Sequence, residues 1–163
     1  MRFSPFSTCR MRPARLGACV IATTVILATV TAVAHQGATG IVKERMETMS
    51  AIARELKTLA AMVKSNEVDG TAAKEIGARV AEDARRVPDQ FPEGSLSDVS
   101  EARDTIWTDF ADFEDKSADL ATAAAALAER DAASLDRTAL AQALKRMGRT
   151  CKSCHESYRL KKN

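Results

Sequence analysis

The sequence predicts an all-α protein, an antiparallel up-down-up-down four-helix bundle. Three observations predict it. Apolar residues recur at steps of three and four in four separate segments, and no segment alternates at the period of a strand. Gly and Pro are scarce, 7 and 4 in 163 residues, so little interrupts helix formation. The first and third links between segments are short and the middle one is long, which suits antiparallel neighbours. The length suits one ordinary domain and not comfortably two. Five Phe, one Trp and one Tyr exclude a large aromatic core.

Residues 1–34 differ from the rest. Arg2, Arg10, Arg12 and Arg15 come without an acidic residue, and an uncharged stretch follows over residues 16–34. It ends in Ala32-Val33-Ala34, a small-x-small cleavage pattern. This is read as an export signal removed before His35, with residues 35–163 as the mature domain in a bacterial-type periplasm. The rival is an uncleaved anchor, since a span needs ~20 apolar residues. Thr23, Thr24, Thr29 and Thr31 and the cleavage pattern weigh against it. Cleavage removes four of 24 basic residues against 22 acidic ones, so net charge moves from +2 to −2. No nucleic-acid footprint remains. Cys9 and Cys19 leave too, and the mature chain keeps two cysteines.

The first helix is expected over residues 39–64. Val42, Met46, Met49, Ile52 or Ala53, Leu56, Leu59 and Val63 form its apolar stripe. A turn over residues 65–70 leads to a second helix over 71–86, with Ala73, Ile76, Val80 and Ala84 inward. Val87-Pro88 ends it, because the residue before Pro avoids helical angles. The long link carries Pro88, Pro92 and Gly94. Ser100 is the expected N-cap of a third helix reaching residue 128, with Ile106, Phe110, Phe113, Ser117, Leu120, Ala124 and Leu127 inward. Ser134 is the expected cap of the fourth. That helix turns Leu140, Leu144, Met147, Cys151, Cys154 and Tyr158 inward. Met62 and Met147 are read as core.

The fourth helix contains Cys151-Lys152-Ser153-Cys154-His155, the attachment signature of a c-type haem. The two Cys and His155 stand at i, i+3 and i+4, so they share one helix face. Two thiols at this spacing can each add to a haem vinyl group, and the adjacent His155 reaches the iron. A thiol redox motif would want a strand before it, and a zinc site would want a further pair of ligands. Neither is present. A disulfide between residues three apart would stabilise little. His35, the other mature His, is read as a terminal residue without function.

With Glu156, Ser157, Tyr158 and Arg159, this motif resembles the haem-binding end of the cytochrome c prime family. Ile106-Trp107 and Arg45, four residues before Met49, are also similar to it. The resemblance covers residues 40–160 and implies one covalently attached haem c in a four-helix bundle. It implies that the distal position is Met49, as in the low-spin, Met/His-ligated branch. It further implies that Arg45 meets a haem propionate and that Arg159 lies near the proximal imidazole. Spacing alone does not choose between Met46 and Met49, since a Met in an apolar stripe is usually core filler. Trp107 is read as core or as packed near the haem edge.

The expected function is a periplasmic one-electron carrier without bond chemistry, with His155 and Met49 on the iron. Met/His ligation suits that role because it raises the potential and leaves no easily vacated site. The alternative is a high-spin protein that binds nitric oxide or carbon monoxide at an open distal position. A peroxidase-like enzyme ranks below both, since no inward acid or base is expected around Met49. A helical adaptor without haem is the structural alternative. Partners would be redox proteins that the sequence does not identify. Family members often pair through their first two helices, yet the weak second helix gives no signal for a homodimer.

Overall fold

The computed structural model describes residues 38–161. The expected export segment, Cys9 and Cys19 within it, His35 and the last two residues lie outside these. No helix among the described residues is long and apolar enough to cross a membrane.

The first helix, α1 (Gly40–Ser65), is capped by Asn66 in the left-handed conformation, which Asn tolerates better than most residues. It buries Val42, Ile52 and Leu59 from the expected stripe and leaves Met46, Met49, Leu56 and Val63 half-buried. The second, α2 (Gly70–Arg86), starts at Asp69, whose carboxylate accepts from the Ala72 amide at 2.9 Å. It ends before Pro88, and a 3₁₀ turn (Pro88–Gln90) follows.

The expected third helix is interrupted. A short α3 (Thr105–Thr108) precedes α4 (Phe110–Ala128), with Asp109 between them at φ −138° and ψ 53°. Ser100 caps neither helix, because its hydroxyl accepts from the Ala102 amide in a local turn. Residues 101–103 cannot be helical, since their backbone is engaged elsewhere. Ala102 bridges antiparallel to Arg159, the Leu160 amide donates to the Glu101 carbonyl at 2.7 Å, and the Arg103 amide donates to that of Tyr158 at 2.9 Å.

The last helix, α5 (Arg137–Tyr158), follows a 3₁₀ turn (Ala132–Ser134). Its cap is Asp136, which accepts from the Ala139 amide at 2.7 Å. Ser134 lies in the turn and donates to the Asp131 carbonyl instead. Asp136→Ala is therefore expected to cost about 1 kcal/mol, read from the denaturant midpoint, and Ser134→Ala much less.

Consecutive long helices pack side by side, and α5 returns against α1, closing the four-helix bundle. The α2–α4 contact is lined by small residues, Ala73, Gly77, Ala81 and Ala84 against Ala121 and Ala124. Gly77 lets the backbones approach. A Cβ there would stand 2.9 Å from the Ala124 carbonyl oxygen and 3.0 Å from the Ala128 nitrogen. A Cβ at Gly70 would likewise overlap the Ala132 carbonyl.

The interior is divided. One cluster fills the end of the bundle near the α1–α2 turn, with Leu59, Val80, Leu127, Leu140 and Met147 fully buried. Met62 packs against it, half-buried. A second cluster at the opposite end joins Val87, Phe91, Ile106, Phe113 and Tyr158.

Candidate functional site

A cleft of about 530 Å³ opens beside the second cluster. Close-packed interiors hold few voids larger than a water molecule, so a space this size is a seat for a bound group. Its walls come from α1, α4, α5 and the 88–102 segment, and they are mostly apolar.

Cys151, Cys154 and His155 all line this cleft, as their shared phase on α5 requires. Both cysteines are half-buried free thiols. Burial pushes the Cys154 thiol up to about 11 and raises that of Cys151. A redox dithiol needs a depressed thiol pKa, and these are displaced the other way. Among the described residues no three His, Cys, Asp or Glu are grouped to hold a metal ion.

His155 is held below its ordinary pKa, first by burial and then by Arg159, with Glu101 opposing. The neutral imidazole is the form that ligates a metal. Arg159 forks onto Glu101, its Nε donating to Oε2 at 2.8 Å. Both residues stand at the cleft beside His155.

Across the cleft, α1 contributes Arg45, Met46 and Met49. Met49 packs against the second cluster together with Cys154, whereas Met46 does not. This distinction was out of reach of spacing. Arg45 is only 3% exposed, so it is no solvated surface arginine. Its guanidinium lies 4.6 Å from the centre of the Phe91 ring and donates to the Ser95 hydroxyl at 3.3 Å and to the Ser95 carbonyl. Arg45 is a buried cation at the cleft, and its guanidinium keeps its proton at ordinary pH.

Phe91 had no signature in the sequence, whereas Trp107 and Tyr158 were already marked. Phe91 lies in the long link, yet it is buried and meets Phe113 edge-on with ring centres 4.9 Å apart. Trp107 donates from its indole to the Phe91 carbonyl at 2.9 Å. Tyr158 donates to Asp112 at 2.6 Å and meets Phe113 edge-on at 5.3 Å. The hydrogen bond to Tyr158 holds the Asp112 carboxyl below its usual range. Glu101 and Lys116 also line the cleft.

The family model described as Cytochrome C' matches residues 40–159. The chain belongs to the cytochrome c prime family. It is 37% identical over 126 residues to cytochrome c-556 of Agrobacterium fabrum, covering 77% of this chain and 84% of that one. It is 33% identical over 120 residues to cytochrome c' of Pararhodospirillum photometricum, covering 72% and 94%. The crystal fold of cytochrome c' from Rhodopseudomonas palustris superposes with a TM-score of 0.68 at 30% identity, over 77% of this chain and all of that one. The protein is thus a c-type cytochrome, and the cofactor of the cytochrome c prime family is one covalently attached c-type haem. The cleft fits that group, with two thiols and an imidazole on one wall, a thioether on the facing wall and a buried cation at the rim.

Proposed function

We propose that this protein is an exported, periplasmic one-electron carrier. Cys151 and Cys154 would attach the haem, and His155 and Met49 would hold its iron. One observation carries the reading: Met49 and Cys154, from facing helices, pack on the same apolar cluster beside the cleft. The haem supplies the one-electron couple. The protein's residues do the rest. α5 fixes the imidazole relative to two covalent anchors, and α1 presents a soft thioether opposite. A ligand set that stays the same in both oxidation states keeps reorganisation small. Phe91, Phe113 and Ile106 keep water from the apolar wall. Arg45 is placed to pair with a propionate, to which a guanidinium can offer two parallel hydrogen bonds. Relatives named cytochrome c-556 fit the Met/His branch.

The test is the visible spectrum of the reduced protein with and without carbon monoxide. Sharp low-spin bands that the gas leaves unmoved are expected. A broad high-spin spectrum that shifts on adding the gas would overturn Met49 ligation and favour a gas-binding protein instead.

A further inference from the structure

The two helices that face each other across the cleft also carry a common charge pattern. On α5, Lys145, Gly148 and Lys152 follow one another at steps of three and four, forming one stripe. All three are exposed, and exposed Arg149 stands beside them. This flank turns away from α4, because the other flank carries Ser153, which Lys116 of α4 contacts at 3.4 Å. On α1, Lys43, Ser50, Lys57 and Lys64 recur every seven residues, and Ser50 lines the cleft. Two of the three acids of α1 are engaged with other segments, and the third offsets Lys43. Glu55 is bound by Arg79 of α2, Glu44 faces Gln90, and Glu47 pairs with Lys43 at 3.6 Å.

Exposed cations thus run along both α1 and α5, the helices that wall the cleft. Lys152 pairs with Glu156 at 3.6 Å and Arg159 pairs with Glu101, so each pair offsets its own charge and the excess of positive charge rests on Lys57, Lys64, Lys145 and Arg149. The acids concentrate on α4, which carries Asp112, Glu114, Asp115 and Asp119 against one lysine. This sorting opposes the overall balance, which is −2 from His35 onward. Gly148 adds a separate observation. It stands in mid-helix, where Gly costs about 1 kcal/mol relative to Ala, yet a Cβ there would meet nothing within 4 Å. The fold itself does not require this glycine. It leaves the backbone bare in the middle of the basic stripe, where another surface can come close.

We propose that this α1–α5 flank is the docking face for a redox partner protein that presents an acidic surface. Complementary charge speeds encounter and sets orientation, and here it would bring the partner to the helix that bears the haem anchors. The inference rests on the electron-carrier reading, and its test separates the two.

The reduced holoprotein is mixed with hexacyanoferrate(III), which takes one electron and becomes hexacyanoferrate(II). The second-order rate constant is expected to fall at least about threefold as ionic strength rises from about 0.01 M to about 0.15 M, because the anion is drawn to the cationic flank. Lys145→Glu/Arg149→Glu should abolish or invert this dependence. Arg85→Glu/Arg130→Glu, an equal charge change elsewhere on the surface, should leave its sign unchanged. Poly-L-glutamate should slow the parent and the control but not the flank variant. If both variants behave alike, the docking face is wrong while the carrier reading stands. If hexacyanoferrate cannot oxidise the protein at all, the carrier reading itself fails. Flank-dependent retention on vesicles of phosphatidylglycerol and phosphatidylcholine at 0.15 M salt, without inhibition by poly-L-glutamate, would replace the protein partner with a lipid surface.

Discussion

Gly77→Leu should lose about 3 kcal/mol of stability or more, the largest effect of any single substitution in the α2–α4 contact. Gly77 is buried, and even a Cβ would stand 2.9 Å from the carbonyl oxygen of Ala124. The obstacle is helix backbone, which cannot swing aside as a side chain would. The same Cβ would press on the nitrogen of Ala128, the intrahelical partner of that carbonyl. Overpacking a tight core typically costs 1–3 kcal/mol, and a whole leucine must separate the helices further than a methyl would. The gain in helix propensity returns only about 1 kcal/mol. A domain of this size holds roughly 5–15 kcal/mol in total, so the loss would be plain in a denaturant titration. Gly77→Ala should fall between the two, at about 1 kcal/mol. A Leu variant with the parent's midpoint would show that α2 and α4 can part freely.

Met49→Leu should change the haem centre while sparing the bundle. The two side chains are nearly equal in volume, and such swaps usually cost under about 1.5 kcal/mol. Only the sulfur is lost. The reduced protein is expected to pass from a low-spin to a high-spin spectrum and to bind carbon monoxide at once. Met46→Leu is the control, since Met46 also lines the cleft but does not share the cluster of Met49 and Cys154. If Met46→Leu converts the spectrum and Met49→Leu does not, the ligands have been assigned to the wrong methionine.

The periodic features were the most legible in the sequence. Each inward residue read for the fourth helix is buried or half-buried in α5, and α1 and α2 lie within a residue of their expected bounds. Periodicity reports what a helix does to its own residues. It does not report what a distant segment does to a backbone. Ser100 has the chemistry of an N-cap and apolar residues follow it at helical spacing, yet the end of α5 takes up the backbone of residues 101–103. Ser134 lost to Asp136 on a finer point: both can cap, and the 3₁₀ turn delays the start of α5 beyond Ser134. The site followed the same rule. Cys151, Cys154 and His155 were legible because one helix carries all three. Phe91 was not, because it reaches the cleft from an irregular link with no period to read. Arg45 was marked by resemblance alone, and its burial against Phe91 and Ser95 follows from that same link folding back over α1.

The divided interior bears on how the chain matures. The cluster near the α1–α2 turn is dense and complete, whereas the second cluster borders a large cleft and takes much of its wall from an irregular link. Cooperative stability is concentrated in the first half and in the α2–α4 pair, while the other half is built on a smaller cluster. A ligand that binds only the folded state adds its binding energy to the stability of the whole, and a covalent bond makes that gain permanent. Both cysteines lie on α5, so that gain would act on the half of the bundle with the smaller cluster.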